Sequence, residues 1–210
     1  MIEQRILTKF ILILIVSASM VTGCSSSKSV KKSTSSASFF QKSSSNKHLN
    51  VTGNVRKRFQ IALVLMEDGE LDKAANILIE LAEKNPQLSG VYLNLGIISV
   101  KRNDFLEAER FMLNAKQANP SNVEAYNYLG FVYRQQGRFL EAEKAYKQAL
   151  LIDNKHVNSH LNLGILNDLY LSRYREARKY YENYLSFKPG DKKVEAWLRD
   201  LDLRTSASLE

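Results

Sequence analysis

The sequence predicts an all-α solenoid of about four helix-turn-helix units with a C-terminal capping helix, preceded by an export signal and a disordered linker. Three observations predict it. A short phrase recurs every 34 residues, as YLNLG over 92–96, YNYLG over 126–130 and HLNLG over 160–164. Each copy is followed by an alanine inside a charged, helix-favouring stretch, at Ala108, Ala142 and Ala177. The only long polar stretch without this pattern lies before residue 55 and is rich in serine and lysine. A period of this length marks an array of one supersecondary unit, which presents surfaces to other proteins more often than it builds active sites.

Residues 1–23 have the build of an export signal. Arg5 and Lys9 give a positive start, Phe10 to Val16 form an apolar run, and Ser17, Ala18 and Ser19 follow. The run is too short to span a bilayer as a permanent helix. It ends at Val21-Thr22-Gly23-Cys24, which resembles the bacterial lipobox. That resemblance implies a diacylated Cys24 thiol, cleavage before it and an acylated new amino terminus, with no other cofactor. Cys24 is the only cysteine, so no internal disulfide can form. Each buried methylene contributes about 0.8 kcal/mol, so several acyl chains anchor a protein durably. Ser25 after the cysteine implies, by the same resemblance, the periplasmic face of the outer membrane, with the inner membrane as the alternative.

Residues 24–54 are expected to be a disordered tether, since their composition cannot bury a core. They explain the charge. Between Cys24 and Arg58 stand Lys28, Lys31, Lys32, Lys42, Lys47, Arg56, Lys57 and Arg58, and no acid. The signal adds one positive charge, so the chain from Phe59 onward carries −1 of the total +8. The basic balance belongs to the tether, beside anionic head groups or cell wall, and excludes a nucleic-acid reading of the repeats. Phe39-Phe40 interrupts the tether, as a docking site or as a tolerated aromatic pair.

Aligning on Pro86 and Pro120 divides the repeat domain, 55–190, into units 55–88, 89–122, 123–156 and 157–191. The fourth position reads Arg58, Tyr92, Tyr126, His160; the seventh and eighth read Ile61-Ala62, Leu95-Gly96, Leu129-Gly130, Leu163-Gly164. Helix B carries Ala74, Ala108, Ala142 and Ala177, then Leu78, Met112, Tyr146 and Tyr181, which plug the space between helices. The small residues sit where helices must approach closely. This pattern resembles the tetratricopeptide repeat (TPR), most specifically in units two and three, and the resemblance implies a right-handed superhelix of antiparallel helix pairs. Gly69, Asn103 and Gly137 stand where helix A ends in a left-handed residue. Unit four has one extra residue around Leu169–Ser172, so its turn is longer or bulged.

After Pro189-Gly190, Asp191 can cap a last helix over 191–204, with 205–210 as a tail. Val194, Trp197, Leu198 and Leu201 form one stripe at i, i+3, i+4 and i+7. Terminal repeats need such a cover.

Candidate chemistry is sparse, and the chain is expected not to be an enzyme. His156 and His160 are four apart, but His160 takes a packing position and His156 precedes the helix, so no metal site is expected. Glu107, Glu109, Glu141 and Glu143 flank helix-B alanines and are expected to face solvent. No phosphate loop and no Ser/His/Asp arrangement is apparent.

The TPR resemblance implies that helix-A positions 2, 5, 6, 9, 12 and 13 line a concave groove. Position 9 reads Leu63, Ile97, Phe131 and Ile165; position 6 reads Gln60, Asn94, Tyr128 and Asn162; position 5 includes Leu93, Asn127 and Leu161. Lys101 and Arg134 supply a positive rim. The apolar position 9 removes the carboxylate clamp of the chaperone-binding members, so the expected partner is an extended or helical segment with apolar anchors. Part of the stripe is alternatively covered by the chain's own linker or capping helix. With the lipobox and linker, the array most resembles the TPR lipoproteins of type IV or Tad-type pilus biogenesis, which implies an envelope partner such as a secretin or pilus component. Type IV pilus members generally carry six repeats, and four are visible here. An adaptor for cell-wall hydrolases or proteases is the alternative reading, and a TPR-docked enzyme a third.

Overall fold

A computed structural model of the chain describes residues 53–206. The signal, Cys24, the tether up to residue 52 and residues 207–210 lie outside the described residues. The order of elements is α1 (Gly53–Glu67), α2 (Leu71–Lys84), α3 (Ser89–Lys101), α4 (Phe105–Ala118), α5 (Val123–Gln135), α6 (Phe139–Ile152), α7 (Val157–Leu169), α8 (Tyr174–Phe187) and α9 (Lys192–Ser206). No strand occurs among the described residues. No described helix is long and apolar enough to cross a membrane. Two boundaries shift. Residues 53–54, assigned to the tether, begin α1, and residues 205–206, assigned to the tail, continue α9.

Consecutive helices pack as antiparallel pairs, and each pair stacks on the next. The pairing depends on size complementarity across one contact. A Cβ on Gly130 would lie 2.5 Å from two ring carbons of Tyr146, and one on Gly164 would lie 2.4 Å from two of Tyr181. At Gly96 the obstructing atom is the terminal methyl of Met112, also at 2.5 Å. In the first unit the smaller Leu78 sits in the same core cluster as Ala62, both with no exposed surface. A large plug therefore faces glycine and a smaller one faces alanine. The four helix-B alanines at 74, 108, 142 and 177 are likewise fully buried.

The turns between paired helices share one geometry. Gly69, Asn103 and Gly137 adopt φ of +81°, +59° and +76°. The residue after each then donates its N–H to a carbonyl five residues back, as Glu70 to Leu65, Asp104 to Ser99 and Arg138 to Tyr133. In the fourth unit Ser172 is the left-handed residue (φ +54°), and Arg173 bonds six residues back, to Asn167. The additional residue is absorbed in the turn, and the helices on either side keep their register.

Three helix starts are side-chain capped, the first two by Asp104, which accepts from the Glu107 N–H (3.0 Å), and Asn122, which accepts from the Ala125 N–H (3.2 Å). Asp191 does the same for α9, accepting from Lys193 and Val194. The stripe of α9 packs on Ala177, Tyr181 and Tyr184, with Val194 and Leu201 buried and Trp197 against the Tyr181 ring at 5.8 Å. A buried carboxylate holds α9 from a third side. Asp168 accepts from the Tyr181 hydroxyl (3.3 Å) and pairs with Arg204 (2.9 Å).

The expectation that the helix-B glutamates face solvent is corrected for two of them. Glu109 pairs with Arg138 at 2.7 Å and Glu143 with Arg173 at 3.0 Å, each crossing to the turn of the following unit. Their side chains are 18% and 13% exposed, so the pairs are shielded by the repeat interface. The recurrence of glutamate one residue after the alanine thus reflects an inter-repeat tie.

Candidate functional site

The groove residues come from α3, α5 and α7, whose shared face follows from the 34-residue register. The structure separates them into three groups. Asn94, Ile97, Tyr128, Phe131 and Arg134 are half-buried, and Lys101 is exposed. The Phe131 ring tilts against Phe105 at 6.5 Å, and the Arg134 guanidinium lies 5.4 Å from the Phe131 ring and 5.8 Å from that of Tyr170. An arginine held between two aromatic faces keeps its charge while presenting little mobile chain. Tyr170 and Phe105 were not anticipated, because both stand in or beside turns and reach the groove only through the helix-pair geometry.

Asn127 belongs to the second group and is corrected. It is buried, and its Oδ1 accepts from Ser159 Oγ (3.3 Å) and Asn162 Nδ2 (3.0 Å). Leu63 and Leu93 are buried as well, within the core clusters of the first three units. Position 5, where Leu93 and Asn127 stand, faces the next helix A in units two and three and so does not open to the groove, while Leu63, at position 9, is taken into the first-unit core. Leu161 and Ile165 form the third group. They are half-buried against the cluster that includes α9, so the capping helix occupies this end of the stripe. The amides are partly committed too: Asn94 donates to the Gly90 carbonyl at 2.7 Å, and Asn162 donates to Asn127.

Burial raises the Tyr128 hydroxyl pKa above its ordinary value, with the Glu124 charge adding to the effect. The Tyr146 hydroxyl is fully buried, and desolvation drives its pKa well up, partly opposed by the Arg134 charge. Both hydroxyls stay neutral at neutral pH.

A polar chain that was not anticipated crosses from the third unit to the fourth. Glu124 meets His156 Nε2 at 3.1 Å, and His156 Nδ1 meets Ser159 Oγ at 2.8 Å. These are the residue types of a nucleophilic triad, but Ser159 has no exposed surface, so no substrate can reach its hydroxyl. The chain fixes the junction between α5 and α7. Its links between units join residues 32 to 35 positions apart in sequence, which hid it. His160, in its packing position, gives Nε2 to the Asn154 carbonyl at 2.9 Å and stacks near Phe187. Among the described residues no three His, Cys, Asp or Glu side chains converge as a metal site.

The helix pairs, the glycine contacts and the concave face define a TPR-type solenoid, a protein–protein interaction scaffold. The family model described as Tetratricopeptide repeat matches residues 122–189, the third and fourth units. Among solved structures, the chain is similar to the Arabidopsis OM64 TPR domain, with 26% identity over 57% of this chain and 98% of that one (TM-score 0.54). It is similar in fold to PilF of Pseudomonas aeruginosa, with 18% identity over 74% and 70% of the two chains (TM-score 0.67). A third likeness is to the first TPR of Spaghetti (RPAP3) bound to the HSP90 peptide SRMEEVD, at 20% identity over 58% and 96% (TM-score 0.55). A comparison with curated proteins finds no match.

Proposed function

We propose that this chain is a lipid-anchored adaptor of the cell envelope, which uses its concave face to hold a segment of an envelope protein during assembly of a machine such as a type IV or Tad pilus or its secretin. The observation that carries the binding role is the strip Asn94, Ile97, Tyr128 and Phe131, left half-buried between the core and solvent and bounded by Lys101 and Arg134. Apolar side chains held partly open beside a fixed guanidinium suit a segment with apolar anchors and an acidic or carbonyl group near them. The fourth-unit end is filled by α9, so the bound segment lies over units two and three. Support for anchoring is the lipobox-like sequence ending at Cys24; support for the envelope machine is the combination of lipobox, basic tether and repeats, beside a fold shared with PilF.

The test places a photoreactive residue at the exposed rim position 101 of the anchored protein and crosslinks in intact membranes. An envelope-protein adduct is expected, lost in Phe131→Asp while helicity and melting are retained. A collapsed melt in Phe131→Asp would show that the ring is core, and an unchanged adduct pattern would refute the groove. Cys24→Ala should remove metabolic lipid labelling; a labelled band of unchanged intensity refutes the anchor.

A further inference from the structure

The first unit keeps apolar residues that nothing described covers. At repeat position 7, Leu95, Leu129 and Leu163 are at most 2% exposed, while Ile61 is 43% exposed. At position 10, Ile98, Val132 and Leu166 are at most 1% exposed, while Val64 is 46% exposed. The three later pairs are buried because the preceding helix B packs on them. Leu95 and Ile98 join a cluster with Leu78 and Leu81 of α2, and Leu163 and Leu166 one with Ala142 and Tyr146 of α6. Among the described residues no helix precedes α1, so the same two positions stand open. At the opposite end α9 supplies a cover. Position 3 also departs from the pattern: Val91, Ala125 and Ser159 are fully buried, whereas the first unit has Lys57, exposed and beside Arg56. Ile61, Val64, Arg56, Lys57 and Gln60 line one shallow hollow.

We propose that this N-terminal face of α1 is a second docking surface, built to receive an acidic amphipathic helix from another protein in the place a preceding helix B would take. Two apolar residues one turn apart match the i, i+3 or i, i+4 anchors of such a helix. The two cations at the Gly53 end select carboxylates there: the acid that α2 brings to this end, Glu80, is taken by Arg58 at 2.6 Å, and neither Arg56 nor Lys57 forms an ion pair among the described residues. Charge complementarity also decides against the chain's own upstream segment. From Ser25 to Thr52 it holds five basic residues and no acid, so folding back would set like charges together. This face belongs to the first unit, whereas the strip proposed above lies over units two and three; Arg56 and Gln60, at groove positions 2 and 6, stand on the side where the two adjoin.

The probe is a stapled helical peptide with leucines at i, i+3, i+4 and i+7 and flanking glutamates, with a counterpart carrying lysines instead. Binding to the purified full chain is read by fluorescence anisotropy. The glutamate peptide should bind at least about tenfold more tightly than the lysine one, and more weakly as salt rises. Ile61→Asp or Val64→Asp should weaken it by about tenfold or more, since an anchor is removed and a like charge added. Lys57→Glu, at an exposed position, should leave the fold intact and shift preference toward the lysine peptide. Equal binding of both peptides, or binding that survives Ile61→Asp, overturns the proposal. Own-chain or second-copy cover is tested with Cys24→Ser and Val64→Cys, which leaves one thiol. Maleimide labelling in the peptide-free chain should be fast. Labelling as slow as at Ile98→Cys, in the same Cys24→Ser background, means the face is already occupied and overturns the proposal.

Discussion

Gly130→Ala and Gly96→Ala are chemically the same change at equivalent positions, and the structure predicts different outcomes, a loss at 130 and near-neutrality at 96. A methyl at position 130 meets Tyr146 ring carbons at 2.5, 2.5 and 2.8 Å. Ordinary carbon contacts lie at about 3.5–4.0 Å, so the ring must retreat by about 1 Å. Its Cγ is among the three atoms, so a ring flip gives no relief, and the side chain is fully buried. Overpacking of this kind costs about 1–3 kcal/mol. The gain in helix propensity from glycine to alanine is about 1 kcal/mol. The net expectation is a loss of up to about 2 kcal/mol, which for a domain of this size lowers Tm by up to about 4–8 °C. At position 96 the nearest atom is the mobile Met112 methyl, with Sδ and Cγ at 3.1 and 3.3 Å. Methionine adjusts readily, so the propensity gain offsets the repacking and Gly96→Ala should melt within about 1–2 °C of the parent. Adding Tyr146→Leu to Gly130→Ala recreates the Ala62–Leu78 pairing of the first unit. The double mutant should lose less than the sum of the singles, by about 1 kcal/mol or more. Circular dichroism melts and urea titrations of the four variants measure this. The size-complementarity account is refuted if Gly130→Ala is as stable as Gly96→Ala, or if the two changes at 130 and 146 are additive.

Two further predictions concern the turn and the cap. Ser172→Gly relieves a left-handed serine and should raise stability by about 1 kcal/mol, whereas Asn103→Gly should gain less because asparagine tolerates that region; a destabilised Ser172→Gly in urea titration refutes this. The docking of α9 should be sensitive to both acid and alkali. The Tyr184 hydroxyl bond, at 2.7 Å, with the α9 backbone N–H groups, holds the Asp191 carboxyl below its ordinary range. A depressed acid stabilises fully above its unfolded value of about 3.9 and loses that contribution as pH falls through the lower folded value. Burial first, and Asp191 second, pushes the Tyr184 hydroxyl up to about 12. A raised group stabilises fully below its unfolded value of about 10 and loses this as pH rises towards 12. Trp197, the only tryptophan, reports both limbs by fluorescence; Asp191→Asn should remove the acid limb and Tyr184→Phe the alkaline one, and unchanged limbs in these variants count against the assignment.

Much of the scaffold was legible because each unit repeats the same local constraints. The Leu-Gly pairs, the helix-B alanines and the left-handed turn residues each appear at a fixed offset, and each has a steric reason that a single unit displays. The extra residue near Ser172 was visible by counting alone. The groove was less legible. Asn127 and Asn94 are the same residue type one position apart in the repeat, yet one is buried between α5 and α7 and the other lies in the strip. The difference depends on which neighbour stands beside the helix, which residue type does not encode.

The sequence by itself determined the all-α array, its period, its capping helix and the residues that permit close helix approach, because these follow from size and backbone freedom at one position. Only the tertiary structure decided which faces remain open. The inter-repeat bonds of Glu109, Glu143, His156 and Asn127 join residues about one period apart, and their partners become neighbours only when units stack. The same stacking packs Leu161 and Ile165 against the cluster that includes α9 and, among the described residues, sets no helix over Ile61 and Val64 like the one that covers their counterparts. Burial of a repeat residue is set by the unit next to it, so the end units depart from the pattern that their own residues share.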